Sequence, residues 1–216
     1  MRFTPRFLFS ILLIASPFLT ILAQEKLKIF FKVKNENSAK IKVCKLYISN
    51  LKIKKGNTVL FQEKDNAHLI NPYDIKRNFI ETDLPKNLTP NQIVIGIGID
   101  STMNFNGIKG GDLDPINGMY WAWNTGYINF KIEAENNESG NDEKLEYHIG
   151  GFLYPFYTYK EITLNLSAKK DSEIIVVIDI DTFLKEAVLL EKKSVLSPGA
   201  SSVRLSELFS TCLKLQ

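Results

Sequence analysis

The chain has 216 residues, with 27 Lys+Arg against 24 Asp+Glu, two histidines, two cysteines and two tryptophans. Arg2 and Arg6 belong to an apolar leader, so the remainder carries 27 − 2 = 25 basic against 24 acidic residues. That balance gives no electrostatic case for nucleic acid or an acidic polymer as partner. Cys44 and Cys212 lie far apart with no CxxC spacing, which argues against a zinc cluster or a thioredoxin-type redox pair.

Residues 1–23 have a positive start, an apolar run from Phe7 to Leu22, and Ala23 before Gln24. This is the layout of a signal peptide cleaved after Ala23. Ser10, Ser16, Pro17 and Thr20 interrupt the run, which is short for a span of about 20 apolar residues. The expectation is an exported protein, periplasmic or otherwise secreted, with no membrane span after cleavage. No cysteine sits near the cleavage site to carry a lipid. Residues 24–216 suffice for a single domain with one sizeable core.

From there the chain reads as mainly β. "KLKIFFKVK" (26–34) and "IKVCKLYIS" (41–49) are strand-length runs joined by the polar "NENSA". The ten Lys of residues 26–55 alternate with apolar residues and read as a solvated sheet face that discourages edge pairing. "NTVLFQE" (57–63) and "NFIET" (78–82) are weaker strand candidates. In "NQIVIGIGID" (91–100) the isoleucines share one face, and Gly96 and Gly98 leave the other bare enough for another element to approach.

"GMYWAWNTGYINFKIE" (118–133) reads as the longest strand, followed by the acidic loop 134–144. "LEYHIGGF" (145–152) and "EITLNLS" (161–167) come next, then the apolar run "EIIVVIDI" (173–180), expected to be buried on both faces. "DTFLKEAVLL" (181–190) and "SSVRLSELFSTCL" (201–213) read as short helices, the second opening after Pro198-Gly199. There is no internal repeat and no linker. The fold class is all-β, an antiparallel β-sandwich with one or two short C-terminal helices.

On a continuous strand Trp121 and Trp123 share a face. Alone, such a pair is core or a binding platform, the latter with Tyr127 for a glycan or protein partner. His68 in "DNAHLIN" and His148 in "EYHIGG" each flank a strand, and the glycines after His148 permit close approach of another group. Asp112 and Asp114 in "GGDLDPING" fit a tight connection better than a calcium loop, whose ligand count they do not reach. Met103 and Met119 read as packing. No nucleophile elbow, HExxH or spaced Ser/His/Asp set appears, so a hydrolase is not expected.

"GIGIDST" (96–102), "GGDLDPINGMYWAWNTGYINFKIE" (110–133) and "YHIGGF" (147–152) closely resemble the MbnP-like family of exported proteins, named for a methanobactin-operon protein paired with the di-haem enzyme MbnH. "AHLINPYD" (67–74) and "SPGASSVRLSELF" (197–209) resemble further family segments, and Ala134 stands where the family pattern has glycine. The resemblance implies a copper protein, not itself an enzyme, in which the di-haem partner oxidises a tryptophan to kynurenine. It implies His68, His148 and the kynurenine from Trp121 or Trp123 as ligands, chiefly of Cu(I). Trp123 is preferred as nearer mid-strand. An intact indole offers only an N–H donor, whereas the opened ring exposes an aryl amine; imidazole and low-coordinate nitrogen sites suit Cu(I). Free thiolates at Cys44 and Cys212 would compete for that ion, while a disulfide between them would not.

Overall fold

The computed structural model describes residues 24–36, 39–85, 89–124, 126–136, 143–166, 173–190 and 193–216. The leader, residues 1–23, lies outside the described residues. Two sheets face one another. The smaller joins β1 (Gln24–Lys34), β5 (Phe79–Pro85), β11 (Glu173–Asp179) and β13 (Leu213–Leu215) in the order β13-β11-β1-β5. The larger is built on the long β2 (Lys40–Lys55), with β3 (Thr58–Gln62), β4 (Ala67–Ile70), β6 (Gln92–Ile97), β8 (Gly126–Asn136), β9 (Glu143–Gly150), β10 (Lys160–Asn165) and β12 (Ser194–Val195). The short β7 (Tyr120–Trp121) pairs with the start of β8.

The β-sandwich reading holds, and the sheets are mixed: β1 runs parallel to β11 and β12 parallel to β9. The expected C-terminal helices are α2 (Ile180–Leu189) and α3 (Ala200–Thr211), and a further short helix, α1 (Ser101–Phe105), follows β6. No helix among the described residues is long and apolar enough to cross a membrane.

Alternation decides which residues meet between the sheets. Leu27, Ile29 and Phe31 of β1 face Cys44, Leu46 and Ile48 of β2 and Ile93, Ile95 and Ile97 of β6 in one core. The lysines between the β1 apolar residues turn outward. The run in β11 alternates too: Ile174, Val176 and Ile178 are buried and their neighbours half-buried, so it is not covered equally on both faces. The helices close one flank, where Phe130 of β8 stacks on Phe209 of α3 at 4.0 Å and Phe183 of α2 meets both edge-on. Cys44 and Cys212 are buried in this core as separate thiols. Burial pushes Cys44 up to about 12 and Cys212 up to about 11, so neither is a thiolate at neutral pH.

A second, smaller apolar cluster sits on the outer face of the large sheet. Tyr47, Leu69 and Ile128 are roofed there by Met103, Leu113, Met119 and Trp121 from the connection between β6 and β8. Both methionines are wholly buried packing residues. The glycines at and just after the end of β6 are explained by other close neighbours. A Cβ at Gly96 would run into the Tyr159 ring, and one at Gly98 (φ +100°) into the Asn129 amide.

Candidate functional site

Residues 118–133 do not form one strand. The chain turns back at 122–124, so Trp121 lies on β7 and Trp123 on the hairpin turn. Strict alternation over this stretch therefore fails, because Trp121 pairs directly with Gly126 across the turn. The two rings still meet, with centroids 5.8 Å apart and planes at 47°. Their environments differ sharply: Trp121 is 6% exposed and Trp123 67%.

Trp121 is seated on Gly150 at the end of β9. A Cβ there would lie 2.8 Å from Cζ3 of the indole and 3.2 Å from Cη2, and against the Tyr127 carbonyl oxygen. Tyr127 is buried as well; its hydroxyl donates to the Leu113 carbonyl (3.1 Å) and accepts from the Lys109 N–H (3.2 Å). Of the Trp121/Trp123/Tyr127 set, only Trp123 presents an open face.

His148 lies two residues before Gly150 on β9, hence on the same face as the Trp121 seat. It pairs across the sheet with Lys131, on the side away from the core residues Tyr147 and Ile149. Its Nε2 is 2.8 Å from Glu133 Oε1. Burial holds its pKa below the usual imidazole value, with help from Lys131 and against the raising pull of Glu133. A neutral ring that donates Nε2–H to the carboxylate keeps its lone pair on Nδ1, the arrangement found behind metal-ligating histidines. For Glu133, burial alone would raise the pKa; the hydrogen bonds from His148 and Lys131 outweigh it and the net shift is downward.

His68 is placed elsewhere. It pairs with Ile48, a core residue, and so projects from the opposite face of the sheet, at the edge where Glu63 Oε2 lies 2.7 Å from its Nε2. Between the two histidines lie three strand steps of about 4.8 Å and three residues of about 3.3 Å, roughly 17 Å along the sheet. The fold thus puts His148 on the face that carries the Trp121 seat, two residues from Gly150, and leaves His68 behind the sheet. No group of three or more His, Cys, Asp or Glu converges on a metal-sized site among the described residues. The two-imidazole set implied by the family is not assembled here; one imidazole, His148, shares a sheet face with the seat of the indole pair.

Asp112 and Asp114 bound two short 3-10 turns, Gly111–Leu113 and Pro115–Asn117. The Asp112 carboxylate accepts the Leu69 N–H (2.9 Å) and the Asp114 carboxylate the Ile116 N–H (2.9 Å). They work as the tight connection into the hairpin. Glu63 and Glu133, the partners of the two histidines, carried no signal in the sequence, because strand register decides what stands opposite what.

Two facing sheets with an aromatic hairpin and a roof from the β6–β8 connection on one outer face define the class, a β-sandwich protein. The MbnP family model matches residues 18–200, and the chain belongs to the MbnP family. Its fold is similar to that of MbnP from Methylosinus trichosporium, with a TM-score of 0.54 at 10% identity, covering 76% of this chain and 78% of that one. No curated protein matches the sequence.

Proposed function

We propose that this chain is an exported copper-binding protein whose Cu(I) is held by His148 and by a kynurenine made from a hairpin tryptophan by a di-haem partner enzyme. The protein is then a carrier and another enzyme's substrate, not a catalyst. The observation that supports this best is the shared face: His148 and the Trp121 seat at Gly150 are two residues apart on β9. Glu133 orients the imidazole, and burial keeps it neutral, the state a metal requires. Trp123, open to solvent, is the indole a partner can reach. Bound copper would supply a soft, redox-active ion; the chain's own residues supply one imidazole, its orienting carboxylate and the aromatic wall. A glycan platform is less well supported, since Trp121 and Tyr127 are buried.

The test is Cu(I) titration of the protein from its native host, beside mass spectrometry of the tryptic peptide 110–131, which holds both tryptophans. A kynurenine mass shift is expected at one of them. Losing an orienting partner alone costs about 10–100-fold in metal affinity, so His148→Ala should cost at least about 100-fold. His68→Ala should stay within about twofold, because it lies behind the sheet. Unchanged binding in His148→Ala, or two intact tryptophans in cells making the di-haem partner, overturns the reading. Equal losses in both variants would mean that one centre uses both histidines.

A further inference from the structure

Three lysines of this sheet each have an acid of their own. Lys42 pairs with Glu135, Lys52 with Glu161 and Lys160 with Glu207. Among the described residues, one cluster holds more cations than it has ion-paired carboxylates. Lys45 of β2 and Lys131 of β8 stand directly opposite each other, both half-buried, an arrangement of like charges that costs stability. Arg77 joins them, because Lys45 Nζ donates to the Asn117 carbonyl (3.0 Å) and Arg77 Nη1 to the Asn117 side-chain oxygen (3.2 Å). Two cations therefore share one asparagine, and Lys131 stands opposite the first of them. Of the three, Lys131 is paired with a carboxylate, Glu133 at 3.1 Å, which is also hydrogen-bonded to His148. Asp112 and Asp114 are close by as negative charges, but among the described residues neither forms an ion pair with the cluster; their carboxylates are turned to the Leu69 and Ile116 N–H groups.

We propose that Lys45, Arg77 and Lys131 form a binding site for a small oxyanion of the phosphate or carboxylate class, on the outer sheet face beside the tryptophan hairpin. The donors are there. A lysine has three N–H donors and an arginine five, and among the described residues Lys45 and Arg77 each spend one side-chain donor, on Asn117. The frame is fixed in advance. Asn117 is itself held by its amide, which donates to the Gly111 (2.9 Å) and Asp112 (3.1 Å) carbonyls, so the two cations it gathers need little ordering on binding. An arginine fork beside two ammonium groups suits two or three oxygens of one anion. Burial chiefly, and then the charges of Lys131 and Arg77, lower the Lys45 pKa; the second part is a repulsion that an anion would relieve.

The test is thermal unfolding of the metal-free mature protein in inorganic phosphate and, separately, acetate, each against sodium chloride at equal ionic strength. At ten times its Kd a ligand multiplies the folded-to-unfolded ratio about elevenfold, a rise in Tm of about 3–6 °C for a domain of this size. Phosphate also stabilises proteins generally by exclusion from their surfaces, so the decisive quantity is the difference between wild type and Lys45→Met. That variant removes a like-charge contact and should fold; Lys131→Gln serves as an independent second variant. Wild type should gain the 3–6 °C and both variants should lose it. A response to phosphate alone assigns a tetrahedral dianion, and one to acetate assigns a carboxylate. Equal Tm shifts in wild type and both variants overturn the site.

Discussion

Replacing Gly150 by alanine tests how the tryptophan face is built. The added Cβ would sit 2.8 Å from Cζ3 of Trp121, about 1 Å inside the 3.5–4.0 Å at which carbon atoms rest. It would also meet the Tyr127 carbonyl, and that oxygen is part of the strand paired with β9, so it cannot rotate away. Either β8 and β9 separate or Trp121 leaves its seat. Overpacking of this kind costs about 1–3 kcal/mol, and a clash with backbone belongs at the upper end. For a domain of this size about 3 kcal/mol is a fall of roughly 6–12 °C in Tm. Urea unfolding gives the free energy. Acrylamide quenching in a Trp123→Phe background, where Trp121 is the sole indole, gives its exposure. Quenching should rise well above that of the same background with Gly150. A Gly150→Ala protein with unchanged stability and an equally shielded Trp121 would refute the seat and, with it, the shared face that carries the functional reading.

Neither cysteine should react with a thiol reagent in the native state, and two should react in denaturant, with no change on prior reduction; fast native labelling at either position would contradict their burial. His148 should make stability fall as the medium is acidified. Its folded pKa lies below the unfolded value of about 6.5, so the unfolded chain takes up its proton first, and stability is lost from about that pH downward. His148→Gln should flatten that stretch of the stability curve, while the loss at more acid pH that belongs to Glu133 shrinks to the part sustained by Lys131. A curve identical to wild type between pH 7 and 5 would contradict the burial assigned to this imidazole.

Period-two patterning carried most of the fold. β1, β6 and β10 lie where apolar residues alternate, and α2 and α3 where the apolar spacing lengthens after β11. The bare face at Gly96 and Gly98 announced a close neighbour, which turned out to be Tyr159 and Asn129. What the sequence did not disclose are matters of register and of turns inside apolar runs. The break at 122–124 is flanked by aromatic residues that suit a strand, and its turn residues Asn124 and Gly126 are outweighed by them, so residues 118–133 look continuous until the pairing of Trp121 with Gly126 is seen. His68 shows the same limit. One residue of register decides the face of a strand side chain, and the pairing with Ile48 puts His68 on the core side, while Leu69 beside it faces the roof.

The position of the site follows from how β2 is used. Leu46 pairs with both Phe130 and Ile70, and Ile48 with both Ile97 and His68, so β8 and β6 share one edge of β2 in succession while β4 takes the other. Where β6 gives way to β8, backbone groups lose their ladder partners, and buried side chains replace them. Ser49 Oγ donates to the Gly98 carbonyl (2.7 Å), Asn129 accepts the Ile99 N–H (2.9 Å), and Asn129 donates to Thr158 (2.9 Å). A seam satisfied in this way has to be kept dry, since unpaired buried polar groups are costly. The roof from Ile99 to Trp121 does so by covering Tyr47 and Ile128 beside it. The hairpin that ends this roof is therefore held by the fold's own need to close the seam, and it carries Trp121 onto Gly150. Trp123 is the part of the hairpin that the seam does not require, and it is the part left open to solvent.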